Sequence, residues 1–307
     1  MNIYFKIRSK HDGLNLSVLE RHETTDPKAV ILFIHGLYGR KERQIDTIKY
    51  FASQGYSCVG FDLRGHGESV RDEKDLGYTY RGGAEAMADD IDSVMEWIVK
   101  KFPGLPIIMI AHSMGSLAAR TYIKRGNSPV KGVILCGSPS HNPFCSIGIA
   151  LLKALCLVRD GRMRLTFLQK IIDNSYNKRF RAEGERAWTC SDPAERERFT
   201  KDSKCSIAGT ADCQLTLLEM MNETYSKKGW HVTNPSLHVR FLSGEDDPCM
   251  ISRKKWEKAA GFMKSLGYTD VTGQLYPGIR HEILNEIGKE KVWEDIDAFI
   301  QESCLDS

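Results

Sequence analysis

Pro106-Ile-Ile-Met-Ile-Ala-His-Ser113-Met-Gly-Ser116 is the stretch on which the fold turns. Four apolar residues in a row, Ile107 to Ile110, predict a short strand buried on both faces of a parallel sheet. From Ser116 the composition becomes helix-forming (Leu117-Ala-Ala-Arg120). Between the two lies a serine with small residues, Ala111 and Gly115, two positions before and two after it. Small neighbours let the backbone bend sharply without a Cβ clash. A serine so placed sits at the apex of a strand-to-helix turn, over a helix N-terminus whose free N–H groups can stabilise an anion. Ser113 is therefore read as a nucleophile, with an ordinary serine N-cap as the alternative. The choice rests on what the other strands carry at the same edge of the sheet.

Upstream, Ala29 to Ile34 reads as a second buried strand, and it ends in His35-Gly36-Leu37-Tyr38-Gly39. A glycine turn there lets the backbone approach whatever binds at the strand's carboxyl end. Tyr56 to Phe61 is a third strand and leads into Asp62-Leu-Arg-Gly-His-Gly-Glu-Ser69. Residues 43–54 and 84–101 have helical spacing, the first closed by Gly55. The alternating runs 2–8 and 14–18, divided by Asp12-Gly13, predict an opening antiparallel hairpin. Downstream, Val130 to Cys136 and Leu237 to Leu242 are further strands, the latter followed by Ser243-Gly-Glu-Asp-Asp-Pro248. A helix at 252–265, a strand at 269–276, the turn Tyr276-Pro-Gly-Ile-Arg-His281 and a helix at 284–301 complete the pattern.

Strand–helix alternation at this spacing predicts an α/β protein: a mostly parallel twisted sheet with helices on both faces. The rhythm stops between 138 and 235, where helical segments and a charged stretch (179–204) occur without a convincing strand. The expected organisation is a core made of 1–137 and 236–307, with 138–235 inserted as a helical cap over the carboxyl edge. The apolar run 147–158 has two readings. It is either a helix packed on the core or a wall for an acyl chain, able to touch a lipid surface transiently.

Composition narrows the class. A net charge of +3 over 307 residues, without a basic arm, gives no footing for nucleic acid. Nine cysteines without any C-x-x-C pair suit reduced thiols in a cytoplasmic setting. The first residues lack the apolar core of a signal peptide, and no run reaches the ~18–20 apolar residues of a membrane span. No metal-ligand spacing is visible, and neither metal nor cofactor is expected.

Ser113, Asp247 and His281 each follow a predicted strand, in the chain order of the α/β-hydrolases. Within that superfamily the sequence resembles the monoacylglycerol lipase and lysophospholipase group over nearly its whole length. The resemblance is carried by His35-Gly36, Asp62-Leu-Arg-Gly-His-Gly-Glu-Ser69, Ala-His-Ser113-Met-Gly, Gly244-Glu-Asp-Asp247 and Tyr276-Pro-Gly-Ile-Arg-His281-Glu-Ile-Leu-Asn-Glu. Cap fragments share it too: Asn177-Lys-Arg-Phe180, Trp188 with Asp192, and Asp202-Ser-Lys-Cys205. There are departures. Ala111 stands where glycine is usual, and the turn Gly36-Leu-Tyr-Gly-Arg-Lys-Glu-Arg43 lacks the group's Glu-His-Ser, only Arg43 matching.

The resemblance implies a serine hydrolase of small acyl esters, of lysophospholipid or monoacylglycerol type. Ser113 would attack and His281 would take its proton. Asp247 would orient His281, and the backbone N–H groups of Leu37 and Met114 would hold the oxyanion. Among three adjacent acids, Asp247 is preferred over Glu245 and Asp246: it lies three residues past Gly244, and Pro248 fixes the backbone after it. His35, His66 and His112 are expected to hold loops, and Cys249 to pack near the site. Two rivals remain. A prolyl-type aminopeptidase would need an acidic cluster such as Glu183, Glu185, Asp192 and Glu195, which interleaved arginines make read as a solvated face. The other is a hydrolase fold kept as a non-catalytic ligand-binding protein.

Overall fold

In the computed structural model, which describes residues 1–305, an antiparallel pair opens the chain: β1 (Asn2–Arg8) and β2 (Asn15–Arg21). Then follow β3 (Val30–Ile34), α1 (Ile45–Ser53), β4 (Ser57–Phe61), α2 (Gly83–Lys101), β5 (Ile107–His112), α3 (Met114–Ile123) and β6 (Val130–Cys136). Four helices come next, α4 (Cys145–Arg159), α5 (Thr166–Tyr176), α6 (Pro193–Lys201) and α7 (Ala211–Thr224). The chain closes with β7 (His238–Gly244), α8 (Arg253–Ser265), β8 (Val271–Tyr276) and α9 (Lys289–Phe299), which continues in π-helical turns over Ile300–Leu305.

The strands form one sheet in the order β1-β2-β4-β3-β5-β6-β7-β8. β1, β2 and β4 pair antiparallel, and every pairing from β4 to β8 is parallel. The period of two along the central strands sorts their side chains between two cores. Val30, Leu32, Ile34, Ile107, Met109 and Ala111 pack with α2, α3 and α8 on one face. Ile31, Phe33, Ile108 and Ile110 pack with α1 and α9 on the other. This explains why β3 and β5 read as uninterrupted apolar runs: neither face meets water. Removing one such side chain costs about 2–5 kcal/mol, because the cavity left behind relaxes only in part.

Three local expectations differ from the structure. The hairpin turn is longer than Asp12-Gly13, spanning 9–14 and closed by the Ser9 N–H donating to Leu14 O (2.8 Å). The last helix begins at Lys289 and not at 284, because residues 282–288 form a looped segment ending at Gly288 in the left-handed region (φ 82°). The apolar run 147–158 divides. Leu152 and Cys156 of α4 turn inward to Ala211 of α7, whereas Ile147, Leu151, Leu157 and Val158 are 61–78% exposed.

Among the described residues, no strand lies between β6 and β7, and an isolated bridge joins Arg164 to Thr210. α7 packs against α2 and α3 and receives α4 on its other side. All nine cysteines are free and buried. No described helix is long and apolar enough to cross a membrane.

Candidate active site

The turn after β5 is strained as its sequence requires. Ser113 has φ 51° and ψ −119°, a combination that L-residues with a Cβ seldom adopt. Its N–H donates to Cys136 O of the neighbouring strand (2.9 Å), which pins the apex to the sheet. Gly115 is obligatory for close approach. A Cβ there would stand 2.5 Å from His35 O and 2.6 Å from Ile34 O. Ser113 occupies the N-cap position of α3, yet its side chain makes no capping bond. The hydroxyl instead lies 2.9 Å from His281 Nε2, which removes the ordinary N-cap reading.

His281 comes from the loop after β8, and its Nδ1 lies 2.9 Å from Asp247 Oδ2. With the carboxylate accepting from Nδ1–H, Nε2 is left to accept from the serine O–H. Asp247 follows β7. Its Oδ1 accepts from the Cys249 N–H (2.8 Å), and Oδ2 also accepts from the Ser243 hydroxyl (3.3 Å). Pro248 opens a short 3-10 turn directly behind it. All three groups are buried, at 9%, 5% and 2% exposure. Burial opposes charging His281, but the Asp247 carboxylate outweighs it and holds the pKa above the ordinary imidazole range. Asp246, by contrast, points away from the histidine and pairs with Arg179 of the 138–235 segment.

The glycine turn after β3 lies against this elbow. A Cβ on Gly36 would stand 2.9 Å from Ser113 Cβ and from His112 Nδ1. Leu37 N–H follows this contact, and Met114 N–H opens α3 immediately after Ser113. The neighbouring histidines are neutral props. Burial pushes His35 to about 4, and it accepts from the Leu63 N–H (2.9 Å). Burial likewise brings His66 to about 4, and its Nδ1 bonds Arg64 O (3.0 Å). His112, lowered by burial, bonds His281 O through Nε2 (3.0 Å).

Cys249 Sγ lies 4.0 Å from His281 Nε2, and burial pushes the thiol up. Asp247, Cys249 and His281 together bring three ligand atoms within 4.8 Å of one another. His281 and Asp247 of this set are already joined to each other and to Ser113 by hydrogen bonds, an arrangement suited to proton transfer.

Several contacts around the site escape a reading of motifs. Trp188 packs against the histidine with its ring tilted by 38°, ring centroids 5.3 Å apart. Arg280 binds both oxygens of Glu183 (2.7 and 2.8 Å) and donates to Ala187 O (2.7 Å), stapling the 177–191 segment beside His281. Glu282 N–H donates to Thr189 O (2.7 Å), and Ser191 N–H to Glu286 Oε1 (2.8 Å). Glu195, expected on a solvated face, is 4% exposed and paired with Arg43 (2.6 Å). The desolvation of one end of that pair is offset by the other. Trp188, Arg43, Arg280, Glu282 and Glu286 all lie in stretches that carry the resemblance, but nothing in those stretches names their partners.

A family model described as serine aminopeptidase, S33 (Hydrolase_4), matches residues 25–288. The chain belongs to that family. Similar curated proteins carry lipid-directed names. The phospholipase YtpA of Bacillus subtilis (strain 168) is 34% identical over 137 residues, 44% of this chain and 48% of its own length. The lysophosphatidylserine lipase ABHD12 of Gallus gallus is 30% identical over 123 residues, 38% of this chain and 29% of that protein. The chain thus spans about half or less of the curated relatives it matches. A thermostable carboxyl esterase from Bacillus coagulans, solved with glycerol, superposes with a TM-score of 0.89 over 99% of both chains at 23% identity. At that identity the likeness shows the fold, an α/β-hydrolase fold like that of the S33 family.

Proposed function

We propose that this protein is a serine hydrolase that cleaves carboxylic esters of an acyl chain bearing a small polar head, of lysophospholipid or monoacylglycerol type. The observation that carries the reading is the continuous line Ser113–His281–Asp247, 2.9 Å at each step, on a strained turn. Ser113 Oγ attacks the ester carbonyl while His281 Nε2 takes its proton, and Asp247 stabilises the imidazolium that forms. The tetrahedral oxyanion is held by the N–H groups of Leu37 and Met114. His281 then returns the proton to the leaving alcohol, the C–O bond breaks, and an acyl-serine remains. Water, deprotonated by the same histidine, releases the acid and restores the serine.

Residues 138–235 form the cap, and its exposed apolar side chains on α4 and α5 make transient contact with a lipid surface. Charge supports this role at Lys170, exposed on α5 among these side chains and suited to a phosphate headgroup. The lipid-directed names of the relatives agree with an acyl substrate.

An aminopeptidase would need free carboxylates to hold the substrate amine. Glu183 is occupied by Arg280, Glu195 by Arg43, and Asp192 by the Ala194 N–H at the start of α6. The ester reading therefore has the better support. The test is a panel of p-nitrophenyl esters, lysophospholipids, monoacylglycerols and aminoacyl amides. Turnover of acyl esters with inert amides is the expected result. Amide turnover exceeding ester turnover would install the peptidase in its place, and silence on all four classes would favour a binding protein.

A further inference from the structure

Helix α5 is amphipathic in the reverse sense for a helix seated on a protein. Phe167, Ile171 and Leu168 are 78%, 50% and 39% exposed, and no residue of the helix is buried. The side turned to the molecule carries Gln169 and Asp173, one turn apart and neighbours on the helix surface. Gln169 Oε1 accepts from the Tyr38 hydroxyl (2.9 Å), and its Nε2 donates to Asp173 Oδ2 (3.1 Å). Asp173 Oδ1 accepts from Trp188 Nε1–H (3.2 Å), and the Trp188 ring packs against His281. A chain of contacts thus runs from the residue after Leu37 to the histidine ring, by way of two side chains of one helix.

Tyr38 is the end of this chain that sits in the glycine turn. Its φ of 59° is left-handed, an uncommon state for a bulky residue, and the surroundings must over-determine it. Those surroundings are visible. The side chain is 2% exposed, and its hydroxyl uses its full hydrogen-bonding capacity. It donates to Gln169, and accepts from the Gly209 N–H (3.1 Å) and from Gln214 Nε2–H of α7 (2.8 Å). One buried phenol therefore ties the turn carrying the Leu37 N–H to α5 and α7 at once.

We propose that Tyr38 is a positioning residue that couples the seating of α5 to the placement of the Leu37 backbone donor. With Gln169 in reach, the turn is held in its strained shape and the donor aims at the oxyanion. When α5 lifts away, that hold loosens. The proposal rests on the ester-hydrolase reading above, and neither Tyr38 nor Gln169 touches the reacting atoms.

The experiment compares the wild type, Tyr38→Phe, Gln169→Met and the double variant. Each is assayed on soluble p-nitrophenyl butyrate and by its rate of fluorophosphonate labelling, below its measured unfolding midpoint. Tyr38→Phe should lower kcat by about tenfold to a hundredfold with KM nearly unchanged, because a misplaced donor fails the transition state rather than the bound substrate. Gln169→Met should lower it by about threefold to tenfold, because it removes the acceptor of the Tyr38 hydroxyl while Gly209 and Gln214 still hold the phenol. The double variant should fall no further than Tyr38→Phe alone, since both act through one contact. A wild-type kcat in Tyr38→Phe, or losses that multiply, overturns the coupling. If Tyr38→Phe does not fold, Gln169→Met decides alone, and an unchanged kcat there overturns it. A wild type that neither hydrolyses the ester nor labels overturns the hydrolase reading itself, a different failure from variants that behave like an active wild type.

Discussion

At the turn around Ser113, apolar atoms face inward on both sides of β5, and a strained backbone is clamped between β3, β6 and α3. In α5 the arrangement is largely inverted: Gln169 and Asp173 face the site together with Tyr176, which packs on Trp188, while Phe167, Leu168 and Ile171 face outward. The first design stores geometry. Close packing on all sides cannot relax, so a serine with φ 51° stays where chemistry needs it. The second leaves apolar area uncovered and holds the helix by one aromatic contact, Tyr176 on Trp188, and a few hydrogen bonds, each with a net worth of about 0.5–1.5 kcal/mol. A helix held so lightly can exchange its contacts for others of similar strength. On the proposed function, this is rigid chemistry under an adaptable cover.

The strongest way to break the comparison is at the rigid end. Ser113→Ala should lower kcat on soluble esters by roughly 10⁴–10⁶-fold while substrate binding survives. Retained turnover in purified variant protein would mean that the stored geometry serves something else.

Asp247→Asn should cost on the order of 10³–10⁴ in kcat, because the amide favours the wrong tautomer of His281. It should also move the pH profile. The reacting imidazole must be neutral, and Asp247 raises its pKa, so kcat/KM in the wild type should rise with pH through a midpoint above ~6.5. Without the carboxylate, the main group opposing burial is gone and the midpoint should move down. A profile displaced upwards would contradict the assignment of the acid.

At the adaptable end the effects are smaller and selective. Leu151→Ser combined with Phe167→Ser should reduce hydrolysis of an ester carried in phosphatidylglycerol vesicles by about tenfold, since each exposed side chain contributes ~1 kcal/mol or less when partly buried in lipid. Hydrolysis of soluble butyrate esters should be unchanged. Equal losses in both assays would point to destabilisation of the fold. Smallest of all, Asp246→Asn removes one partner of the surface pair with Arg179, and kcat should stay within about tenfold of wild type.

Legibility in the sequence followed the same division. Ser113, Asp247 and His281 could be read because each backbone shape is set by immediate neighbours: Ala111 and Gly115, Pro248, and the Pro277-Gly278 turn. The sheet was readable for a related reason, since strands buried on both faces declare themselves as apolar runs. What escaped was contact between segments distant in sequence. Tyr38 reaches Gln169 and Gln214, and Arg43 reaches Glu195, across more than a hundred residues that no local pattern spans. Periodicity alone could not say which face of α5 would look outward. The start of α9 was misplaced because Glu282 and Asn285 bond each other in the loop instead of continuing a helical pattern.

The central claim is that Ser113 forms an acyl-enzyme, and mass spectrometry of protein quenched during turnover of p-nitrophenyl butyrate tests it most directly. The expected result is a mass increase of one butyryl group, mapped to the peptide bearing Ser113, that decays as product appears and is missing from Ser113→Ala. Turnover with no adduct under rapid quench, or with an adduct on any other residue, would contradict it.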